Sequence, residues 1–180
     1  MVSIKSNKIS GLNGEINVPG DKSISHRSLI LSSCAIGTSK IVNLLESDDV
    51  LSTLEALKKL GVIIYKEQDT FYVKGNGLGS LNFSNSTLDL GNSGTATRLL
   101  MGLVASNDLE ATFIGDKSLR SRPMSRIIDP LTKMGAQIAS NSGNLPVTIK
   151  GTKIPIPIIF KSNISSAQVK SSILIAGLCS

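Results

Sequence analysis

The chain has 180 residues, 41% of them hydrophobic and 18% charged, a composition that fits one globular domain with a real core and excludes a disordered segment. Nineteen basic residues against thirteen acidic ones leave a formal charge of +6, which points to an acidic partner, yet aromatics are only 3% and Trp is absent, so a single-strand nucleic-acid binder would lack its stacking platforms. No basic run resembles a DNA-reading helix and no apolar stretch approaches the ~20 residues of a membrane span, so small phosphorylated or carboxylated molecules are the expected partners, with no nucleic acid and no membrane.

Lys5 and Lys8 interrupt a short polar start, so no secretory apolar segment follows Met1 and the cytoplasm is the expected compartment. Glu15 to Val18 is predicted as a short strand closed by Pro19-Gly20. Leu29, Ile30 and Cys34 recur at near-helical spacing, predicting a helix from Ser25 to Ile36 with Gly37 capping its end. Lys40 to Leu44 reads as an apolar strand. Asp48 is a good N-cap for a helix through Leu60, whose buried stripe includes Leu51, Leu54 and Leu57 and which Gly61 stops. Val62 to Lys66 and Phe71 to Lys74 form a hairpin around Gln68-Asp69, giving the order β-α-β-α-β-β.

The same order then recurs. Thr87 to Leu90 is a strand, Ser93 to Ala105 a helix and Glu110 to Ile114 a strand. Pro123 to Met134 is expected to be helical, with Pro123 favourable at the first position and Pro130 producing a kink or a restart. Gln137 to Ala139 and Pro146 to Lys150 close the second block. Ile156 to Phe160 and a helix from Ser166 to Leu178 open a third. Cys34 and Cys179 lie in apolar helical segments without a His or Cys at metal-ligand spacing, so they read as reduced core thiols, and no metal is expected.

Residue spacing supports a duplication. Ser23, Ser93 and Ser166 are 70 and 73 residues apart; Arg27, Arg98 and Lys170 are 71 and 72 apart. Gly61 and Gly135, which each follow an amphipathic helix, are 74 apart, and Lys74-Gly75 and Lys150-Gly151 are 76 apart. A unit of about 72 residues is too long for a solenoid and reads as a repeated supersecondary block. Two copies and the start of a third make a half-repeat, expected of a fragment of a longer protein.

Each copy opens with a small-residue, hydroxyl-rich turn before a helix, with a cation about one turn further on. A helix N-terminus exposes unpaired N–H groups and the positive end of the macrodipole, which suits an anion. In the first turn Lys22 and Ser23 precede Arg27; a capped helix with solvated Lys and Arg is the plain alternative. In the second, Asn92, Ser93, Gly94 and Thr95 precede Arg98, and Gly94 lets a ligand approach the backbone, although a glycine used only for packing would read the same. It is neither a P-loop nor a dinucleotide fingerprint. Arg122-Pro123 points Arg122 to the same end, whereas Arg120 and Arg126 read as a solvated basic face. In the third, Ser165, Ser166 and Gln168 suit a polyol or phosphate, while Lys170 reads equally as a packed or solvated lysine. His26 is the single histidine, and without a nearby carboxylate in sequence an acid/base role is disfavoured.

Four ordered motifs then carry a resemblance that spans essentially the whole chain. Pro19-Gly20-Asp21-Lys22-Ser23-Ile24-Ser25-His26-Arg27, Leu90-Gly91-Asn92-Ser93-Gly94-Thr95, Arg122-Pro123-Met124 and Ser166-Ala167-Gln168 resemble the N-terminal portion of the EPSP synthase family, the 3-phosphoshikimate 1-carboxyvinyltransferases. The resemblance implies an α/β (α+β) fold of repeated β-α-β-α-β-β units around a pseudo-threefold axis, enolpyruvyl transferase-like and truncated in the third unit. It implies that residues 1–19 belong to a second, mostly missing domain and that residues 20–180 form an incomplete substrate-binding domain.

By the same resemblance the reaction is transfer of the enolpyruvyl group from phosphoenolpyruvate to the 5-hydroxyl of shikimate 3-phosphate in aromatic amino acid biosynthesis, without a cofactor. Lys22 is implied to be catalytic and to touch both substrates. Ser23, Arg27, Ser165, Ser166 and Gln168 are implied to bind shikimate 3-phosphate; Asn92, Gly94, Thr95, Arg98, Arg122 and Gln168 are implied to bind phosphoenolpyruvate. Ala167 stands where some relatives carry a second Ser. The family's principal acid/base carboxylates lie in its C-terminal half, so this polypeptide alone is expected not to turn over, its missing C-terminal domain being the implied partner. Gly94 leaves room for glyphosate as well as phosphoenolpyruvate. Two alternatives stand beside this reading: the sister family acting on UDP-N-acetylglucosamine, which normally has Asn at the place of Ser23, and a non-enzymatic anion- or RNA-binding module of similar units.

Overall fold

The computed structural model describes residues 3–81, 86–163 and 165–180. Helix α1 (Lys22–Cys34) begins where the Asp21 carboxylate accepts the Ile24 N–H at 2.8 Å. Strand β1 (Ile36–Val42), helix α2 (Asp48–Lys59) and strands β2 (Ile63–Glu67) and β3 (Thr70–Asn76) follow. Gln68 has φ 52°, the left-handed conformation that a two-residue β2–β3 turn requires. The sheet order is β1-β3-β2, antiparallel throughout.

The second unit comprises β4 (Ser86–Asp89), α3 (Gly94–Ala105), β5 (Glu110–Ile114), α4 (Lys117–Arg120), α5 (Ser125–Lys133), β6 (Gln137–Asn141) and β7 (Asn144–Lys150). Its sheet runs β4-β5-β7-β6, with β4 parallel to β5 and the other pairs antiparallel. The order β5-β7-β6 therefore repeats β1-β3-β2. The duplication extends to close packing. A Cβ on Gly75 would lie 2.3 Å from the carbonyl oxygens of both Ser32 and Ala35; one on Gly151 would lie 2.1 Å from those of both Val104 and Asn107. In each unit the strand leaving the hairpin presses its glycine against the C-terminal carbonyls of the unit's first helix, which only a residue without a side chain allows. Helix α6 (Ala167–Gly177) opens the third unit.

Helix α3 is the centre of the core. Leu99, Leu100, Met101 and Val104 are fully buried between α1, α2, α5 and α6. Its closest approach is to α6, where a Cβ on Gly102 would lie 2.2 Å from the Ser172 carbonyl oxygen. None of the helices among the described residues is long and apolar enough to cross a membrane.

Several expected elements differ. Glu15 to Val18 is irregular and exposed, because no described strand offers it a ladder; the second unit has β4 at the matching place beside β5. Ile156 to Phe160 is likewise not a strand, for the same lack of a hydrogen-bonded neighbour. Gly37 does not cap α1: the helix ends at Cys34, Ala35 is already extended, and Gly37 lies inside β1. The helix expected from Pro123 to Met134 begins at Ser125, and a separate turn, α4, precedes it, capped by the Asp116 carboxylate on the Leu119 N–H at 2.7 Å. Pro130 causes no restart; α5 runs through it, and Ile127, Pro130 and Leu131 form its buried stripe.

Candidate functional site

Helices α1, α3 and α6 place their N-termini side by side. The caps are Asp21, Ser93 and Ser166, the last two accepting the Ala96 and Val169 N–H groups at 3.3 and 3.4 Å. These caps are 72 and 73 residues apart, so Asp21, not Ser23, is the true counterpart of Ser93 and Ser166. The cations do not share one helical position: Arg27, Arg98 and Lys170 stand six, five and four residues after their caps. A sequence alignment of cations hides this drift; packing of each helix start against its neighbours reveals it.

Two arginines converge over Gly94. An added Cβ there would lie 2.7 Å from Arg98 Nη1 and 3.0 Å from Arg122 Nη1. Arg98 donates to the Gly94 carbonyl at 3.1 Å, to Gln168 Oε1 at 3.0 Å and to the Pro123 carbonyl at 3.3 Å. Arg122 donates to the side-chain and main-chain oxygens of Asn92 and, at 3.3 Å, to Ser118 Oγ. Neither arginine, nor Arg27, takes part in an ion pair among the described residues. Burial, then the neighbouring charges of Arg122 and Arg126, pull the Arg98 guanidinium below its usual pKa. Two close like charges without a carboxylate are a prepared anion site.

The start of α6 is held on both sides. Gln168 Nε2 donates to Thr95 Oγ1 at 3.0 Å, and Arg27 reaches from α1 to Ser171 Oγ at 2.6 Å while donating to the Ser23 carbonyl at 2.9 Å. Ser23 and Ser165 are exposed. Ser165, Ser166 and Lys170 line an open groove of about 630 Å³ together with the apolar Ile158, Phe160, Ile173 and Leu174. Lys22 turns toward α2, with Nζ 2.9 Å from Asp49 Oδ2. The geometry thus joins Arg98, Arg122, Asn92, Gly94, Thr95 and Gln168 in one cluster and ties Arg27 to it through α6. Lys22 is instead anchored beside α2.

Sequence reasoning missed Asp49, Thr53, Ser118 and Ser171 as partners of these groups. Asp49 and Thr53 share one regularity, each lying 27 residues after the α1 residue it meets, and Ser118 and Ser171 share none. Arg120 holds the Gly115 carbonyl at 2.8 Å, a structural task. His26 is fully buried, its Nδ1 2.7 Å from Thr53 Oγ1, and burial pushes its pKa down to about 4 despite the opposing pull of Asp49. Cys34 and Cys179 are free thiols, and the described residues contain no His/Cys/Asp/Glu group able to hold a metal ion.

Comparison with known proteins bears directly on this arrangement. The family model for EPSP synthase (3-phosphoshikimate 1-carboxyvinyltransferase) matches residues 6–180. The 3-phosphoshikimate 1-carboxyvinyltransferase of Novosphingobium aromaticivorans is 52% identical over 169 residues, 93% of this chain and 38% of that protein. Its namesake from Zymomonas mobilis is 53% identical over 175 residues, 96% of this chain and 39% of that protein. Among solved structures, EPSP synthase from Acinetobacter baumannii superposes with a TM-score of 0.86 at 42% identity, covering 92% of this chain and 38% of that one. The chain thus spans about two-fifths of the length of the relatives it matches.

Proposed function

The chain belongs to the EPSP synthase family, and on that footing we propose that it supplies one wall of a site that transfers enolpyruvate from phosphoenolpyruvate to the 5-hydroxyl of shikimate 3-phosphate. The 5-hydroxyl oxygen adds to C2 of phosphoenolpyruvate while C3 takes a proton. The resulting tetrahedral intermediate then loses a C3 proton and the C2–O bond to phosphate, leaving 5-enolpyruvylshikimate 3-phosphate and free phosphate. Residues 20–180 are the substrate-binding domain of this reading. Residues 1–19, exposed and irregular where they are described, are assigned to a second domain.

The observation that carries the reading is the convergence of Arg98 and Arg122 over Gly94 at the N-terminus of α3. Phosphoenolpyruvate would lie there, with Asn92 and Thr95 lining the pocket and Gln168 bridging to the other substrate. Ser23, Arg27, Ser165, Ser166 and Gln168 would hold shikimate 3-phosphate, and Lys22 would reach both. Ala167 offers only backbone where some relatives offer a hydroxyl. The physical task is to bring two polyanions together; fixed cations and helix dipoles offset their repulsion, and closure by the further length present in the relatives would exclude water. Ionic small-molecule substrates and two free thiols support a cytoplasmic setting.

Amide NMR titration of the chain tests this. Shikimate 3-phosphate should shift signals at the starts of α1 and α6, and phosphoenolpyruvate those at the start of α3. An equal or stronger response to UDP-N-acetylglucosamine, or steeply salt-dependent RNA binding without any response to shikimate 3-phosphate, would overturn the assignment.

A further inference from the structure

Two cross-links join α1 to α2 one helical turn apart. Lys22 and His26 are four residues apart on α1, and their partners Asp49 and Thr53 are four residues apart on α2. The inner link, His26 Nδ1 to Thr53 Oγ1 at 2.7 Å, is completely buried. The outer link, Lys22 Nζ to Asp49 Oδ2 at 2.9 Å, is half-exposed, with side-chain exposures of 50% and 32%. The inner one fixes the helix spacing, so the carboxylate above it is presented to Lys22 from a rigid frame. Asp49 is also in the first turn of α2, where the helix dipole favours its negative charge.

We propose that Asp49 is a positioning residue for Lys22: it holds the ammonium at the N-terminus of α1 in the orientation that receives an anionic substrate, a role that rests on the function proposed above. Lysine has three N–H donors and a long, mobile stem. Asp49 takes one donor and restricts the stem, leaving two donors for the ligand. An acidic residue beside an anion site would by charge alone weaken binding. Positioning predicts the opposite sign for its removal, and that contrast separates the two roles.

The test uses the 180-residue chain with inorganic phosphate and shikimate 3-phosphate as probes, comparing wild type with Asp49→Ala, Asp49→Asn and Asp48→Ala. Asp48 is the exposed neighbour, carries the same charge and is not the ion-pair partner of Lys22. Asp49→Ala should weaken binding roughly three- to tenfold, the cost of ordering one long side chain on the ligand. Asp49→Asn, which keeps an acceptor, should recover part of that loss, and Asp48→Ala should bind as well as wild type or better. The melting temperature of Asp49→Ala should barely move, because an exposed ion pair contributes little stability. Equal or tighter binding by Asp49→Ala, or equal weakening by Asp48→Ala, overturns the proposal. Phosphate binding that depends on Asp49, without any preference for shikimate 3-phosphate, supports positioning and sinks the substrate assignment alone. Binding of neither probe to wild type sinks both.

Discussion

Arg98 and Gln168, 70 residues apart in sequence, meet at 3.0 Å, and through them the second repeat unit grips the start of the third. Gln168 uses both ends of its amide: the oxygen accepts from Arg98 and the nitrogen donates to Thr95 Oγ1 at 3.0 Å. The amide has only this orientation, since a flipped one would aim N–H donors at a guanidinium. Arg98 is thereby locked in the geometry that faces Arg122 across Gly94 without being neutralised.

That neutrality is the basis of the first prediction. Gln168→Glu keeps an acceptor for Arg98 but adds a full negative charge within ion-pair reach. Phosphoenolpyruvate binding should fall by about tenfold or more, and by more than in Gln168→Ala, which loosens Arg98 but leaves its charge available. Calorimetric titration of both variants ranks them. The reverse order would show that orientation, not charge, dominates at this arginine.

Gly94→Ala puts a methyl group 2.7 Å from Arg98 Nη1 and 3.0 Å from Arg122 Nη1. Both neighbours are side-chain ends rather than backbone, so the clash is relieved by giving up guanidinium hydrogen bonds and not by moving the fold, and Ala in the first turn of a helix offsets up to ~1 kcal/mol of that cost. The melting temperature should therefore stay within a few degrees, while affinity for phosphoenolpyruvate falls several-fold because the guanidinium pair is splayed. Unchanged affinity in a folded Gly94→Ala variant would remove this pair from the binding site. In a longer polypeptide with turnover, glyphosate affinity should fall further than that of phosphoenolpyruvate.

The parts of the fold visible in the sequence are those fixed by local chemistry. Gly61 follows the end of α2, Gln68-Asp69 turns the first hairpin, and the recurrence of Gly75 at Gly151 reflects one packing solution used twice; the expected cap of α2 is displaced by one residue, Ser47 standing at the cap without a side-chain bond and Asp48 opening the helix, where the dipole favours its charge. Glu15 to Val18 and Ile156 to Phe160 are expected as strands but are not, because a strand exists only when a neighbour completes its ladder, which no local pattern can report. The Lys-Ser, Asn-Ser-Gly-Thr and Ser-Ala-Gln turns were legible because caps and small residues leave a sequence signature. Asp49 and Ser171 were not, because they reach the cluster only through helix packing, and an isolated acid or hydroxyl on a helix reads as solvated surface.

His26 sets a pH dependence of stability. Its folded-state pKa is lowered from 6.5 to about 4, chiefly by burial. The unfolded chain therefore binds the proton more readily, and stability contributed by the neutral ring is complete above about pH 6.5, falls as pH drops toward 4, and is lost below that. The shift corresponds to at most about 3 kcal/mol. Urea unfolding at pH 7 and pH 4.5 should show a larger acid loss in wild type than in His26→Gln, which cannot titrate. Equal losses in the two proteins would place the acid sensitivity elsewhere.

Gly102→Ala should behave in the opposite way to Gly94→Ala, since the obstacle is backbone. The new Cβ would lie 2.2 Å from the Ser172 carbonyl oxygen and 2.9 Å from its carbonyl carbon. No rotamer change relieves this; α6 must move away from α3. Moving it lengthens the Arg98–Gln168 and Gln168–Thr95 bonds and disturbs the burial of Val169 and Ile175 elsewhere on α6. The expected cost is roughly 2–4 kcal/mol, a drop of about 5–15 °C in melting temperature for a chain of this size. Gly11→Ala, at an exposed site where a Cβ would meet nothing within 4 Å, should leave the melting temperature unchanged. Because the clash is with main chain, no substitution at Ser172 should rescue Gly102→Ala. Rescue by Ser172→Gly would mean that the hydroxyl rather than the backbone sets the distance between the helices.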